Sequence, residues 1–330
     1  MTLFHRISST FSYFLTAAVP IALSFGAQAM QPGEQVIVLN SGDGTVTVID
    51  RASRKVMRTF PVGKEPHHLI PTLDESELVV ANATSNDLVF LDPITGDVKK
   101  RMPRISDPYQ LAYTTDKKWF VSISLRLDRV DIYSMPNYEL KARIPAAKTP
   151  SHVVFSADSR TAYVTLQDSH ELMAIDMLTH KEAWRMKIGK LPAGLWISPQ
   201  GLIFVGIMSS EFVQVIDPAK RQVVNEIKTG RGAHNVFALG DGTHILVSNR
   251  VEGTITQVNY KTMAVVRSIK VGNGIDDLEV SADGKEVWGT VRFESRVAVI
   301  DMTGAKPIHY IPVGRSPHGI YFKTRARRDQ

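Results

Sequence analysis

An apolar-apolar-acid triplet closes one strand-like run after another along this chain at a spacing of 42 residues. It reads Val48-Ile49-Asp50, Phe90-Leu91-Asp92, Ala174-Ile175-Asp176, Val215-Ile216-Asp217 and Val299-Ile300-Asp301, with degenerate copies at Asp131-Ile132-Tyr133-Ser134 and Gln257-Val258-Asn259. The seven markers end at positions 50, 92, 134, 176, 217, 259 and 301, so a single step is 41 and the others are 42. A fixed period of this size, made of strands and turns, belongs to a repeat architecture in which each unit buries its apolar faces against its neighbours.

One copy, from Pro66 to Ser106, resolves into four strand-like runs at 67–71, 77–82, 87–92 and 98–104. The turns between them carry Asn, Asp, Pro or Gly, as in Asp92-Pro93-Ile94-Thr95-Gly96, which is the chemistry of tight reversals. Four strands repeated seven times predict an all-β fold, a seven-bladed β-propeller with four-stranded blades. The run Gln35–Asn40 matches a second strand, and the last run, His318 to Lys323, matches a first strand. One C-terminal strand added to three N-terminal strands would therefore complete the seventh blade and leave no open edge.

The pattern Val-Gly-x-x-Pro, strand, Ser-x-Asp-Gly-Lys turn, strand, Val-x-Val-Ile-Asp resembles the YVTN-type β-propeller repeat. It is clearest in Lys270-Val271-Gly272 with Ser281-Ala282-Asp283-Gly284-Lys285, and in Ile311-Pro312-Val313-Gly314-Arg315-Ser316-Pro317. Similar propellers include the haem-d-type domain of periplasmic nitrite reductases and its assembly proteins. The resemblance implies the fold and leaves the function open, because one propeller scaffold hosts many activities.

The segment 1–29 reads as a secretory signal. Arg6 is followed by an uncharged, mostly apolar stretch to Phe25, and Ala27-Gln28-Ala29 offers the small residues a signal peptidase requires. The expected organisation is a signal at 1–29, a propeller at 30–323 and a basic tail at 324–330, in a periplasmic or secreted monomer without a membrane span after cleavage. The formal charge of +6 falls to +5 without Arg6, and much of the excess lies in Lys323-Thr324-Arg325-Ala326-Arg327-Arg328, expected to be a solvated end. Export disfavours nucleic acid as a partner. The absence of cysteine excludes disulfides, thiolate catalysis, cysteine-held metal and covalent c-type haem.

In a propeller the first strand of each blade lines the central channel, and the seven loops leading into these strands meet at one end of it. Their first positions are His67, Tyr109, Ser151, Ala193, His234, Asp276 and His318; the next are His68, Gln110, His152, Gly194, Asn235, Asp277 and Gly319. Five of the ten histidines thus converge. His67, His68, His152, His234 and His318 are candidate ligands for copper or zinc, or for the iron of a haem. The same residues could instead bond loop carbonyls and water. Strand alternation argues against His67 and His68 acting together. On the same face, Arg126, Asn249, Arg250 and Arg292, with Asp276 and Asp277, are candidate ligand-binding residues, and Arg250 and Arg292 could clamp a carboxylate or phosphate. Trp119, Trp184, Trp196 and Trp288 are expected in blade packing, and His170, His180, His244 and His309 fall outside the column. The residues favour a non-catalytic protein that binds a small ligand, a metal or a periplasmic protein. A metal- or haem-dependent enzyme or cofactor-assembly protein is the alternative.

Overall fold

The computed structural model describes residues 34–326; the expected signal at 1–29 and the last four residues lie outside them. The strands form seven sheets of four antiparallel strands each. Six blades run in chain order from an inner to an outer strand, and their inner strands are Pro66–Pro71, Pro108–Tyr113, Pro150–Phe155, Pro192–Ile197, Ala233–Ala238 and Ile275–Val280. The seventh has Pro317–Tyr321 inside Gln35–Asn40, Thr45–Asp50 and Lys55–Pro61, so one C-terminal strand and three N-terminal strands close the ring as expected. Among the described residues no helix is long and apolar enough to cross a membrane.

The burial follows the repeat. In the blade built on Pro66–Pro71, the middle strands Leu78–Asn82 and Asp87–Leu91 are buried throughout, while the outer strand Val98–Pro103 is exposed at five of its six positions. Middle strands covered on both faces by neighbouring blades account for continuous apolar runs such as Leu78-Val79-Val80-Ala81. The core is correspondingly shared between blades. One cluster joins Val121, Ile123 and Val130 of one blade to Val153, Phe155 and Val164 of the next.

The Val-Gly pair of the repeat has a packing cause. A Cβ at Gly63 would overlap the Asn82 side-chain amide, and Gly314 and Gly230 stand against Asn40 and Asn249 in the same way. These asparagines are buried and brace their own blades: Asn40 donates to Thr45 and Thr47, Asn82 to Asp87, and Asn249 to Thr254 and Thr256. Asn249 is therefore part of the framework.

The basic end is not solvated throughout. Lys323 is exposed, but Thr324 accepts from Ala282 and donates from its backbone to Glu34, Arg325 bonds Glu75, and Ala326 is buried with its N–H on Val280. Backbone bonds and a methyl group at the right register outweigh the charge of the sequence around them.

Gly63→Ala should lower unfolding stability by roughly 1–3 kcal/mol, the range of an overpacked core position. In an Asn82→Ala background the same change should cost less, because the overlapping group is gone. Urea unfolding of the four proteins measures the coupling.

Candidate functional site

Each inner strand carries one extra residue near its start. Pro66 pairs with Asn82 and Leu69 with Val80, so His67 and His68 together face a single partner residue. The same slip occurs in all seven blades, including Ile275/Leu278 against Val291/Gly289 and Pro317/Ile320 against Asn40/Val38. A bulge of this kind breaks the alternation of side chains. His67 and His68 accordingly lie in one cluster, with their Nδ1 atoms 2.9 Å apart and ring centroids 4.8 Å apart. The expectation that they point apart fails for this reason.

The two columns form two layers. The first layer is a plug across the channel. Asp276 is fully buried, and Arg250 grips it with Nε and Nη2 at 3.1 and 2.8 Å from Oδ1 and Nη2 at 2.6 Å from Oδ2. Arg292 Nη1 adds a contact at 3.4 Å while its Nε donates to Ser316. His234 Nδ1 stands 2.9 Å from Asp276 Oδ1, out of line for a full hydrogen bond, and His318 lies between Asp276 and Asp277 at 3.5 and 3.2 Å. The His67 ring rests on His318 and Tyr109, with centroids 3.7 and 3.9 Å away. The arginines expected to clamp an incoming anion thus hold the chain's own carboxylate. Burial would raise the Asp276 pKa, but Arg250, His318 and His234 outweigh it and keep the group well below the usual carboxylate range.

The second layer faces a cavity of about 720 Å³ that follows the axis away from the plug. His68, Gln110, His152, Asn235 and Asp277 form its closed end, and Glu75, Lys323 and Arg325 stand at the other end. Glu75 and Lys323 are exposed, so the cavity opens on the face opposite the loops where sequence placed the binding site. Leu69, Leu111, Leu195, Trp196, Phe237 and Tyr321 are among its walls.

Hydrogen-bond chemistry fixes two of the imidazoles. His68 Nδ1 lies 2.8 Å from the Tyr109 carbonyl, which only accepts, so Nδ1 carries the proton and His67 Nδ1 accepts from it. Thr165 donates to the Ala193 carbonyl, Ser151 donates to Thr165, and Ser151 therefore accepts from His152 Nδ1. The lone pairs of His68 and His152 are left on Nε2, and His152 Nε2 is buried without a partner. Burial is the largest cause holding these rings neutral. It takes His68 down to about 4, and His152 well below its ordinary value, with repulsion from neighbouring imidazoles adding to the effect. Asp277 stays ionised: burial opposes this, but His318 and His68 prevail, and Asn235 donates to it at 2.8 Å.

For metal, two triples bring one donor atom per residue within 4.8 Å of one another, His67–His68–His318 and Asp276–Asp277–His318. Hydrogen bonds already use His68 Nδ1 and both Asp276 oxygens. His152 and His234 adjoin the first cluster, with centroids 5.5 Å from His68 to His152 and 5.7 Å from His152 to His234. Arg126 is not in it, because its guanidinium pairs with Glu65 and Asp107 on the loop face. Trp119, Trp184, Trp196 and Trp288 pack as expected. Trp196, Tyr321 and Glu279 were missed as channel-lining residues. Their signal was present, since each lies two places beyond a second-column residue on an inner strand, and alternate residues share a face.

The model of the YNCE-like beta-propeller matches residues 8–328. The chain belongs to that family. No curated protein sequence matches this YNCE-like propeller significantly. Among solved structures it is similar to a functionally unknown protein from Desulfotomaculum acetoxidans DSM 771, with a TM-score of 0.75, 13% identity, and 88% of this chain and 99% of that one covered. A putative 6-phosphogluconolactonase from Bacteroides uniformis ATCC 8492 gives a TM-score of 0.71 at 16% identity, covering 89% and 100%. The dihydro-heme d1 dehydrogenase NirN in complex with DHE gives 0.66 at 14% identity, covering 88% and 75%. At these identities the likeness is one of fold.

Arg250→Ala strips a fully buried carboxylate of its main partner and should destabilise this YNCE-like propeller by about 3–5 kcal/mol, with Arg250→Ala/Asp276→Asn losing less. Denaturant midpoints of the two variants decide it. Acid should act on the imidazoles. Depressed folded-state pKa values mean stability that is complete above about 6.5 and lost as pH falls towards about 4, the value for His68 and His234. Each such ring adds up to about 1.4 kcal/mol per pH unit to the slope. Unfolding free energy between pH 7 and 4.5 should fall more gently in His68→Gln, and an unchanged slope would contradict the buried neutral state.

Proposed function

We propose that this YNCE-like propeller is an exported, non-catalytic binding protein that takes a small ligand into its axial cavity. The carrying observation is the closed end of that cavity, where His152 Nε2 is buried without a protein partner beside His68 and Asp277. An orphaned acceptor of this kind is costly unless something bonds to it. A concave site with aromatic and aliphatic side chains among its walls and polar groups converging at its closed end is a common form of small-molecule pocket. Export rests on the character of residues 1–29, and a periplasmic protein as a partner for the outer faces rests on that location.

The second reading is a metal or haem centre, in an enzyme or a cofactor-assembly protein. Neutral imidazoles with Nδ1 anchored and Nε2 free favour it, because metal-bound histidines are oriented in this way. The fold likeness to NirN is compatible with it. His68 and His152 would supply the donor nitrogens, and the bound group would supply Lewis-acid or redox chemistry.

Native mass spectrometry, metal analysis and a visible spectrum of protein isolated from its own compartment separate the readings. A small-molecule adduct that disappears in Ala238→Trp, which fills the cavity, is the expected result. Stoichiometric metal or a haem band lost in His152→Ala would replace it with the second reading.

A further inference from the structure

The closed end of the cavity is rich in hydrogen-bond acceptors. His68 and His152 present Nε2 lone pairs, because their Nδ1 protons are committed to Tyr109 and Ser151. Asp277 adds a carboxylate with 11% of its side chain exposed, and Asn235 spends its N–H on that carboxylate. Glu279 lies two places further along the same strand and also lines the cavity. The lysine and arginine of the lining, Lys323 and Arg325, stand at the open end. The deep end therefore suits a positively charged donor and would repel an anion, while Leu195, Trp196, Phe237 and Tyr321 suit an apolar or aromatic body.

From this arrangement we infer that the cavity recognises a protonated amine carried at the tip of an otherwise apolar molecule, with the ammonium group among Asp277, His68 and His152. The inference rests on the axial cavity being the binding site. Asp277 is the anchor of such a site, because its carboxylate carries the charge; the two donor triples that converge within 4.8 Å both lack His152, which stands at the margin. An ammonium brings three N–H donors for the carboxylate and the neighbouring imidazole acceptors, and aromatic walls add cation–π attraction.

Isothermal calorimetry at pH 7.5 on the full-length mature protein tests this with 2-phenylethylamine, 2-phenylethanol and 3-phenylpropionate. The amine should bind at least about tenfold more tightly than the alcohol, and the acid should be the weakest, as a charge-assisted hydrogen bond in a buried site requires. Asp277→Asn should remove that preference, Glu279→Gln should weaken it, and Ala238→Trp should abolish binding of all three; thermal melts establish that each variant is folded. Equal binding of amine and alcohol, both lost in Ala238→Trp, would overturn the ammonium assignment and leave the cavity as the site. Preference for the acid, or amine binding that survives Ala238→Trp, would overturn it as well. If none of the three probes binds, the amine inference fails, and the adduct measurement then decides separately whether the cavity is a binding site.

Discussion

Seven inner strands pointed at one axis leave room for very few side chains, and the extra residue near the start of each strand doubles the number that must share that room. This crowding sets the rest of the molecule's polar architecture. Eleven polar or charged side chains in the two columns at the top of the channel cannot all be solvated, so many of them bond one another. Asp276 is tolerable there because Arg250 and Arg292 reach in from neighbouring loops, and His68 and His152 because they remain neutral. The plug and the end of the cavity are two sides of one network, and a change in either layer is transmitted through His318 and the two adjacent aspartates.

The fold was legible because its signals are local and repeated. The 42-residue period, the turn chemistry and the positions of the first and last runs were enough to give blade number and ring closure. The histidine column was legible for the same reason. What sequence could not weigh was the partner of each charge. Arg250 and Arg292 looked available because nothing in a linear pattern shows that Asp276, on the inner strand of the blade after Arg250 and of the blade that holds Arg292, lies within their reach. Arg126 likewise meets Glu65 and Asp107 only after the blades are arranged around the ring. Asn249 was expected to bind a ligand, whereas the glycine across from it marks it as a packing residue. The direction of the site was also misjudged. Two adjacent columns were read as one face, and the bulge that separates them into a sealed layer and an open one is a slip in strand pairing, visible only once the partner strands are known.

Family membership and fold likeness fix the scaffold, and the scaffold is common to proteins of different description. The residues that distinguish this chain are the ones the repeat does not require. Alternate positions down the inner strands carry Trp196, Phe237, Glu279 and Tyr321, and a buried acid among aromatic rings is not something packing of a propeller demands.

A channel stopped at one end by an ion pair is a vessel rather than a conduit. Whatever enters must leave by the same mouth, past Glu75, Lys323 and Arg325. A barrier placed there slows arrival and departure in equal proportion and leaves the equilibrium untouched. In such a vessel the strength of retention is written at the closed end and its tempo at the rim, and the docked C-terminal segment, which supplies two of the three rim residues, belongs to the tempo.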